Sequence, residues 1–514
     1  MQSAAVSRDT DEKPVGPFLA RPSVVNLRED SVRGGAATLV AEALNHVIRV
    51  ISIVVLARYV SPEQFGLLAM VTALTVVAER FKDVGLDIAT IQRDGLTQAQ
   101  VSNLFWINSG IGAILMVLVA GSAPLVVGFY GEPRLWGITI VVASTFLFGG
   151  ATIQHQALMR RQMRFKTIAW IGVTSSILGF VAAVSLAALG FGYWALVWRE
   201  FVRAVATAVT SWTLFRWRPS LPSRGAHVGA MMRTGWSVTI YNLFYFLSRN
   251  LDQMLIGKMW GARQLGFYRQ AYQLVMLPLS LLQFPVNAVA LPALSALKNE
   301  PARYRRYYRE IVGTLSFISM PIVLYLAMHS ERLISVALGD GWLPTADIFR
   351  LMAFAGFAWP LTCLTGAVMT SFGHNRQYVW LGVGSALTLT FAFAVGNLWG
   401  AMGTAVAFVL WTYLTVLPIL WFSLRSTPVS LADSVAPAIK PAIATFFTYI
   451  ITTMVFRALN RMDNITAVAV SLPLCFGCYL LVWAVQPGGR AILVRYLAYA
   501  TMLARNRSMS VRTG

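Results

Sequence analysis

Long apolar stretches alternate with short polar loops along nearly the whole chain. A helix needs roughly twenty apolar residues to cross a bilayer, so the pattern predicts an all-α polytopic membrane protein with about fourteen spans. The predicted spans are 35–57, 67–88, 102–128, 135–158, 167–190, 193–215, 235–257, 266–296, 311–337, 346–371, 377–397, 400–424, 434–456 and 465–486.

The first span carries four polar residues at the helical spacing i, i+3, i+4, i+7. They are Glu42, Asn45, His46 and Arg49, and on a helix they form one stripe. A charged side chain in mid-membrane costs about 2.5–3.5 kcal/mol on insertion scales, so the stripe must face other helices or water. Two interpretations stay open: an internal cluster in which Glu42 pairs with His46 or Arg49, or the wall of a polar pathway.

The two halves of the chain repeat each other. Arg33, Gly35, Arg49, Gln64 and Gly66 recur 200 residues later (from 49 to 249), and Ala157, Met159 and Trp170 recur 210 residues later (from 159 to 369). The copies lie six predicted spans apart, an even number, so they have the same orientation in the membrane. The repeat predicts two six-helix lobes and a C-terminal helix pair.

The basic residues test this arrangement. The sequence carries 42 Lys and Arg against 21 Asp and Glu, a net charge of +21. The Lys and Arg residues concentrate in every second loop, such as 160–166, 216–233 and 298–309, and in the C-terminal tail. By the positive-inside rule these loops and both termini lie in the cytoplasm. Separate loops do not form one patch, which argues against nucleic-acid binding.

The resulting domain prediction has six parts. These are a disordered cytoplasmic tail at 1–33, an N-terminal lobe at 34–215, a basic linker at 216–233, a C-terminal lobe at 234–425, a terminal helix pair at 426–487 and a basic tail at 488–514.

No catalytic, nucleotide-binding or metal-binding motif is present in the sequence, so we expect no enzyme, metal site or cofactor. The polar residues within spans are therefore the candidate sites. Arg249 is the repeat partner of Arg49, and two guanidiniums facing one cavity suit a diphosphate. Arg249 also has Asp252 at i+3, so an ion pair within the helix is an equal alternative. Arg203 has Glu200 at the same spacing, which favours a structural pair.

Several segments resemble the Wzx-type lipopolysaccharide and exopolysaccharide flippases of the multidrug/oligosaccharidyl-lipid/polysaccharide exporter superfamily. They are the opening Arg33-Gly-Gly, the segment from Leu56 to Gly66 (LARYVSPEQFG), its repeat partner Leu265-Gly-Phe-Tyr268, and Ala157-Leu-Met-Arg-Arg161. The resemblance covers residues from about 33 to 425. It implies two lobes around a central cavity, alternating access in the bacterial inner membrane, and an undecaprenyl-diphosphate-linked oligosaccharide as substrate. Polymerase and chain-length proteins of the same pathway are the implied partners.

The resemblance implies that basic residues of the cavity meet the diphosphate-sugar headgroup, and we assign this role to Arg49 and Arg249. Polar residues within the spans supply the further candidates: Asn45, Asn242 and Arg269 for the headgroup, and Glu42, His46 and Asp252 for ion coupling. Three alternatives remain: a lipid II flippase, a drug/cation antiporter of the same superfamily, and a membrane polysaccharide polymerase. The antiporter would favour acidic cavity residues, and the polymerase a large periplasmic loop.

Overall fold

The computed structural model describes residues 27–82, 86–93, 95–223, 229–458, 463–491 and 493–494. Every regular element in this part of the chain is helical, which confirms the predicted fold class. The chain divides into two compact units, the first ending at Arg263 and the second beginning at Gln264.

The first unit contains nine helices and the start of a tenth. They are α1 (Leu27–Tyr59), α2 (Pro62–Lys82), α3 (Leu86–Gln92), α4 (Gln98–Gly121), α5 (Ala123–Tyr130), α6 (Leu135–Gly150), α7 (Ile153–Arg161), α8 (Phe165–Ala188), α9 (Tyr193–Leu214) and α10 (Gly229–Ala296). Non-helical dihedral angles at Gly261 (φ 79°) divide α10 into two pieces, at the place where the sequence separates two predicted spans.

The second unit takes the rest of α10 and the remaining helices. They are α11 (Pro301–Met328), α12 (Ser330–Ala337), α13 (Pro344–Ala355), α14 (Trp359–Thr362), α15 (Thr365–Ser371), α16 (Asn375–Gly396), α17 (Gly400–Leu424), α18 (Leu431–Ala458) and α19 (Asn464–Val485), with 3₁₀ turns at Asp340–Trp342 and Asn397–Trp399.

Within the described ranges, eight helical segments are long and apolar enough to cross a membrane, and a bent pair, Pro344–Ala355 with Trp359–Ser371, makes a possible ninth. One of the eight, Asn375–Leu424, contains both α16 and α17. Helices α2 and α9 are not among them, and each carries charged residues such as Glu79 in α2 and Arg199 in α9. The chain is thus a multi-pass membrane protein, and the number fourteen stays a prediction.

Glycine permits two close helix contacts in the first unit. A Cβ on Gly112 of α4 would lie 2.6 Å from the carbonyl oxygen of Phe146 in α6, and one on Gly150 would lie 2.6 Å from that of Asn108. Backbones that approach this closely exclude every larger residue, as is typical of helix pairs in membranes.

Helix α2 begins against the break in α10. The backbone N–H of Ser61 donates to Oε1 of Gln64 (3.2 Å), which satisfies a free donor before the helix. A Cβ on Gly66 would lie 1.7 Å from the carbonyl oxygen of Ala262. The Lys258 ammonium also donates to the carbonyl of Phe129. These contacts place residues up to 263 with the first unit, whereas the charge pattern places the linker between the lobes at 216–233.

Arg161, one of the basic-loop residues, is buried. Its Nη1 donates to the carbonyls of Thr90 (3.0 Å), Ile91 (3.3 Å) and Arg93 (2.6 Å). These carbonyls belong to the last turn of α3 and to the residue that follows the helix, so the guanidinium caps its C-terminus.

Helices α11 and α18 run parallel and in register in the second unit. At their N-terminal ends the carboxylate of Asp433 accepts from Nε of Arg305 (2.8 Å), and further along Thr452 donates to the sulfur of Met328 (3.5 Å). Between these, the buried hydroxyls of Tyr308 and Ser434 lie 2.9 Å apart. The predicted terminal helix pair is therefore packed into the second unit through α18.

The repeat is visible as the same turn in both units. After α7, Met163 has φ 58°, Arg164 N–H donates to Met159 O (2.9 Å) and Met163 N–H to Arg160 O (3.0 Å). After α15, Gly373 has φ 78° and makes the equivalent bonds: His374 N–H to Met369 O (2.9 Å) and Gly373 N–H to Thr370 O (3.0 Å). Both turns are Schellman motifs, and their residues differ by the offset of 210 found in the sequence.

This pair of turns predicts opposite responses to substitution. A left-handed residue other than glycine costs about 1–2 kcal/mol, so Met163→Gly should raise the apparent unfolding temperature of the purified protein. Gly373→Ala should lower it by the equivalent of about 1 kcal/mol. Thermal unfolding in detergent measures both. A Gly373→Ala protein as stable as wild type would contradict the strain argument.

Candidate functional site

The polar stripe of α1 forms as the sequence predicts, but its members have different surroundings. Asn45 faces α8, where its Oδ1 accepts from the hydroxyl of Ser176 (2.9 Å). Nδ1 of His46 lies 2.8 Å from the carbonyl oxygen of Glu42, one turn earlier. Glu42 and Arg49 are exposed. The stripe thus divides into a half-buried side that holds helices together and an exposed side that carries charge.

Arg49 is the distinctive residue of this stripe. Among the residues that the structure describes, its guanidinium has no hydrogen bond or ion pair. It interacts electrostatically with Arg203 and Arg199, which repel it, and with Glu42 and Glu200, which attract it. The alternative in which Glu42 and Arg49 form a direct ion pair is not what the structure shows.

Helix α9 supplies the charged neighbours. Glu200 accepts from Nη2 of Arg199 through Oε1 (2.8 Å) and from Nη2 of Arg203 through Oε2 (2.7 Å). The second pair is the predicted i, i+3 contact and is confirmed. Nη1 of Arg199 also donates to the buried Ser52 hydroxyl of α1 (3.1 Å). The Glu200 carboxylate therefore holds both guanidiniums of α9, and Arg203 also interacts electrostatically with Glu79 of α2.

Close helix packing fixes this surface. A Cβ on Gly179 of α8 would lie 2.9 Å from the carbonyl oxygen of Arg199 and 3.3 Å from Cβ of Arg203. Helix α8 therefore packs directly against the backbone of α9. The side chain of Arg203, which extends from α9, is 57% exposed. We call the set Arg49, Ser52, Arg199, Glu200 and Arg203 the α1/α9 cluster.

The remaining candidates lie on α10. The side chains of Asn242 and Arg249 are outside the part that the structure describes, so their predicted roles stay predictions. Asp252 is buried in the first unit, and Arg269 is half-buried in the second.

Other polar residues within the spans have a structural role. Oε1 of Gln154 accepts a hydrogen bond from the hydroxyl of Thr90 (2.9 Å). The ring centroid of His155 lies 4.5 Å from that of Trp212 and 5.1 Å from that of Trp217. Both are buried in the first unit. Across the described residues, no three His, Cys, Asp or Glu side chains are placed to hold a metal ion.

The sequence predicts the pair of Glu200 with Arg203 but not the proximity of Arg199 and Arg203 to Arg49. The available signal was the occurrence of Arg, Glu and Arg within one otherwise apolar predicted span, which is costly unless those charges meet others.

The helical fold and its long apolar segments define the class of multi-pass helical membrane proteins. The chain is a member of the polysaccharide biosynthesis protein family, whose model matches residues 55–347.

Curated relatives agree with this family. The chain is 27% identical over 339 residues to the teichuronic acid biosynthesis protein TuaB of Bacillus subtilis, covering 62% of this chain and 70% of that protein. It is 22% identical over 393 residues to the lipopolysaccharide biosynthesis protein WzxC of Escherichia coli, covering 75% of this chain and 79% of that protein. It is 23% identical over 363 residues to the succinoglycan biosynthesis transport protein ExoT of Rhizobium meliloti, covering 70% of this chain and 73% of that protein.

Solved structures identify the fold. The lipid II flippase MurJ in an inward-closed conformation matches with a TM-score of 0.69 at 14% identity, covering 90% of this chain and 99% of that one. An inward-facing multidrug resistance MATE family transporter of the MOP superfamily matches with a TM-score of 0.55 at 13% identity, covering 76% and 98%. At these identities the likeness shows the fold alone.

Proposed function

We propose that the protein is a flippase that moves undecaprenyl-diphosphate-linked oligosaccharides across the bacterial inner membrane by alternating access. The family and the relatives named for polysaccharide biosynthesis or transport support this class of cargo. The fold shared with two transporters supports a transport mechanism over catalysis.

The observation that carries the proposal is the α1/α9 cluster. A diphosphate headgroup entering a low-dielectric region needs compensating positive charge. Arg49 supplies a guanidinium with no ion pair among the described residues, and Arg199 and Arg203 both bind the Glu200 carboxylate, with Glu79 a further charge near Arg203. A guanidinium stays charged and binds phosphate oxygens in a bidentate geometry. The exposed guanidiniums of Arg49 and Arg203 can therefore donate to an anionic headgroup. Such donors suit this headgroup better than the cationic substrates of an antiporter.

The other site predictions extend this proposal. Arg249, Asn242 and Arg269 are proposed to contact the same headgroup from the repeat-related part of the chain, with Asn45 as a further contact. Glu42, His46 and Asp252 are proposed to couple transport to an ion gradient. Polymerase and chain-length proteins are proposed to receive the product.

Transport by the purified full-length chain tests the proposal directly. In proteoliposomes containing a fluorescent undecaprenyl-diphosphate-linked oligosaccharide, we expect the label to become accessible to a membrane-impermeant quencher from the opposite leaflet. Separate vesicles that contain lipid II as the substrate test the alternative of a lipid II flippase. Movement of lipid II without movement of the oligosaccharide lipid, or of neither, would refute the assignment.

The topology gives a second test. The alternation of basic loops predicts that reporter fusions after Lys166, Arg224 and Arg306 read cytoplasmic, and that fusions near Gly131, Gly190 and Gly341 read periplasmic. Paired phosphatase and fluorescent-protein fusions measure this. A periplasmic signal after Arg306 would overturn the proposed orientation, in which both termini are cytoplasmic.

A further inference from the structure

The second unit contains a cavity that the proposed headgroup site does not use. It has a volume of about 900 Å³ and lies between the C-terminal part of α11, the start of α12, α13 and the middle of α18. Its floor is apolar, with Met320, Leu324 and Ala327 on one side and Phe446 on the other. Two of the lining residues are themselves exposed, Phe446 to 60% and Phe354 to 44%. The cavity therefore opens at the surface of the unit.

The height of the cavity matches one leaflet of a bilayer. Its lining on α18 runs from Ala442 to Thr453, which is about 16 Å at 1.5 Å per residue. Half of a hydrocarbon core is about 15 Å thick. An acyl chain lying along α18 would therefore fill the apolar part from one interface to mid-membrane.

Charged residues of both signs stand at one end only. Arg332, Glu331 and Arg350 line this end, and Arg350 is 2.6 Å from Glu331 and 3.5 Å from Asp347. Burial, and then the charge of Arg332, lowers the pKa of His329 to about 4, so this ring is neutral at physiological pH. Two cationic side chains and one anionic side chain line this end, the mouth of the cavity, and Asp347, which pairs with Arg350 from outside the lining, brings the net charge of the group to zero.

From this combination we infer that the cavity binds a zwitterionic phospholipid of the phosphatidylethanolamine type. The acyl chain lies against Leu324, Ala327 and Phe446, the phosphate faces Arg332 and Arg350, and the ammonium faces Glu331. A mouth of balanced charge matches this headgroup better than that of an anionic lipid. Because α11 begins in the basic loop 298–309, the mouth lies at the periplasmic end on the predicted topology.

Photolabelling of the full-length protein tests the site. The probe is phosphatidylethanolamine with a diazirine in its acyl chain, added to protein purified in detergent, and labelled peptides are mapped by mass spectrometry. We expect labelling on the peptides that contain Leu324 and Phe446, and competition by unlabelled phosphatidylethanolamine at least about tenfold better than by phosphatidylglycerol.

Matched variants connect the labelling to the cavity. Ala442 is exposed and lines the cavity, whereas its neighbour Ile443 is exposed and does not. Ala442→Trp should reduce labelling at least about tenfold, Ile443→Trp should leave it unchanged, and both should keep the wild-type unfolding temperature. Glu331→Gln should remove the preference over phosphatidylglycerol while the apolar contacts still permit labelling.

Three results would overturn the inference. They are equal labelling of Ala442→Trp and wild type, stronger competition by phosphatidylglycerol, and displacement of the probe by undecaprenyl phosphate but not by phosphatidylethanolamine. The last would assign the cavity to a polyprenyl chain. Since no transport is measured, failure here leaves the proposed flippase function unaffected.

Discussion

Replacing Arg49 by alanine should abolish or sharply reduce polysaccharide export, while the protein still inserts and accumulates in the membrane. The guanidinium has no hydrogen bond or ion pair among the described residues, so its loss leaves no buried partner uncompensated and should hardly change stability. A charge-assisted hydrogen bond to a phosphate is worth about 1.5–3 kcal/mol. Losing it weakens headgroup binding by roughly tenfold to a hundredfold.

The measurement is export in a deletion strain complemented with each variant and normalised to membrane protein. Arg49→Lys should restore export only partly, because an ammonium keeps the charge but loses the planar donor fork. Arg306→Ala is the matched control: its side chain is 78% exposed and pairs with Glu310 one turn away, a contact of little value. Normal export by a well-expressed Arg49→Ala protein would remove this residue from the transport site.

Replacing Gly66 by alanine should remove most of the folded protein. The added Cβ would lie 1.7 Å from the carbonyl oxygen of Ala262, and a backbone atom cannot move aside as a flexible side chain can. Overpacking a core typically costs about 1–3 kcal/mol. This clash involves a backbone oxygen, so a change of side-chain rotamer cannot relieve it. The start of α2 and the break in α10 would have to separate.

Folded yield after detergent extraction, measured by size-exclusion chromatography with a fluorescent tag, checks this expectation. Gly128→Ala is the control, because nothing lies within 4 Å of a Cβ at that helical position, and alanine there favours the helix by about 0.5–1 kcal/mol. Wild-type yield of the Gly66→Ala protein would show that α2 and α10 do not pack as closely as the structure places them.

The sequence predicts the repeated and local features well. Met159 and Met369, which the repeat relates by 210 residues, lie in the last turn of helices that are followed by turns with the same hydrogen bonds. Glu200 and Arg203 form an ion pair one helical turn apart, as their spacing predicts. Helical periodicity and short-range spacing determine such features, so they can be seen in a single sequence.

Features that depend on distant parts of the chain could not be predicted. The predicted span 102–128 is divided at Ser122, where one helix ends and another begins, although the apolar pattern continues through it. The sequence places Arg161 in a basic loop, but in the structure it caps α3 from about 70 residues away. The contact of Arg199 with Ser52 joins residues 147 apart. Packing creates these contacts, and hydropathy contains no information about partners.

The register of α11 and α18 also has a consequence for biosynthesis. Arg305 is synthesised 128 residues before its partner Asp433, which at roughly 5–20 residues per second is a delay of roughly 6–26 seconds. During that interval α11 is inserted while the helix that will cover Tyr308 and neutralise Arg305 does not yet exist. Until α18 leaves the ribosome, this surface depends on the insertion machinery or on lipid for protection. Helix α18 therefore completes the core of the second unit, and a ribosome that stops after α17 would release a chain with an open core.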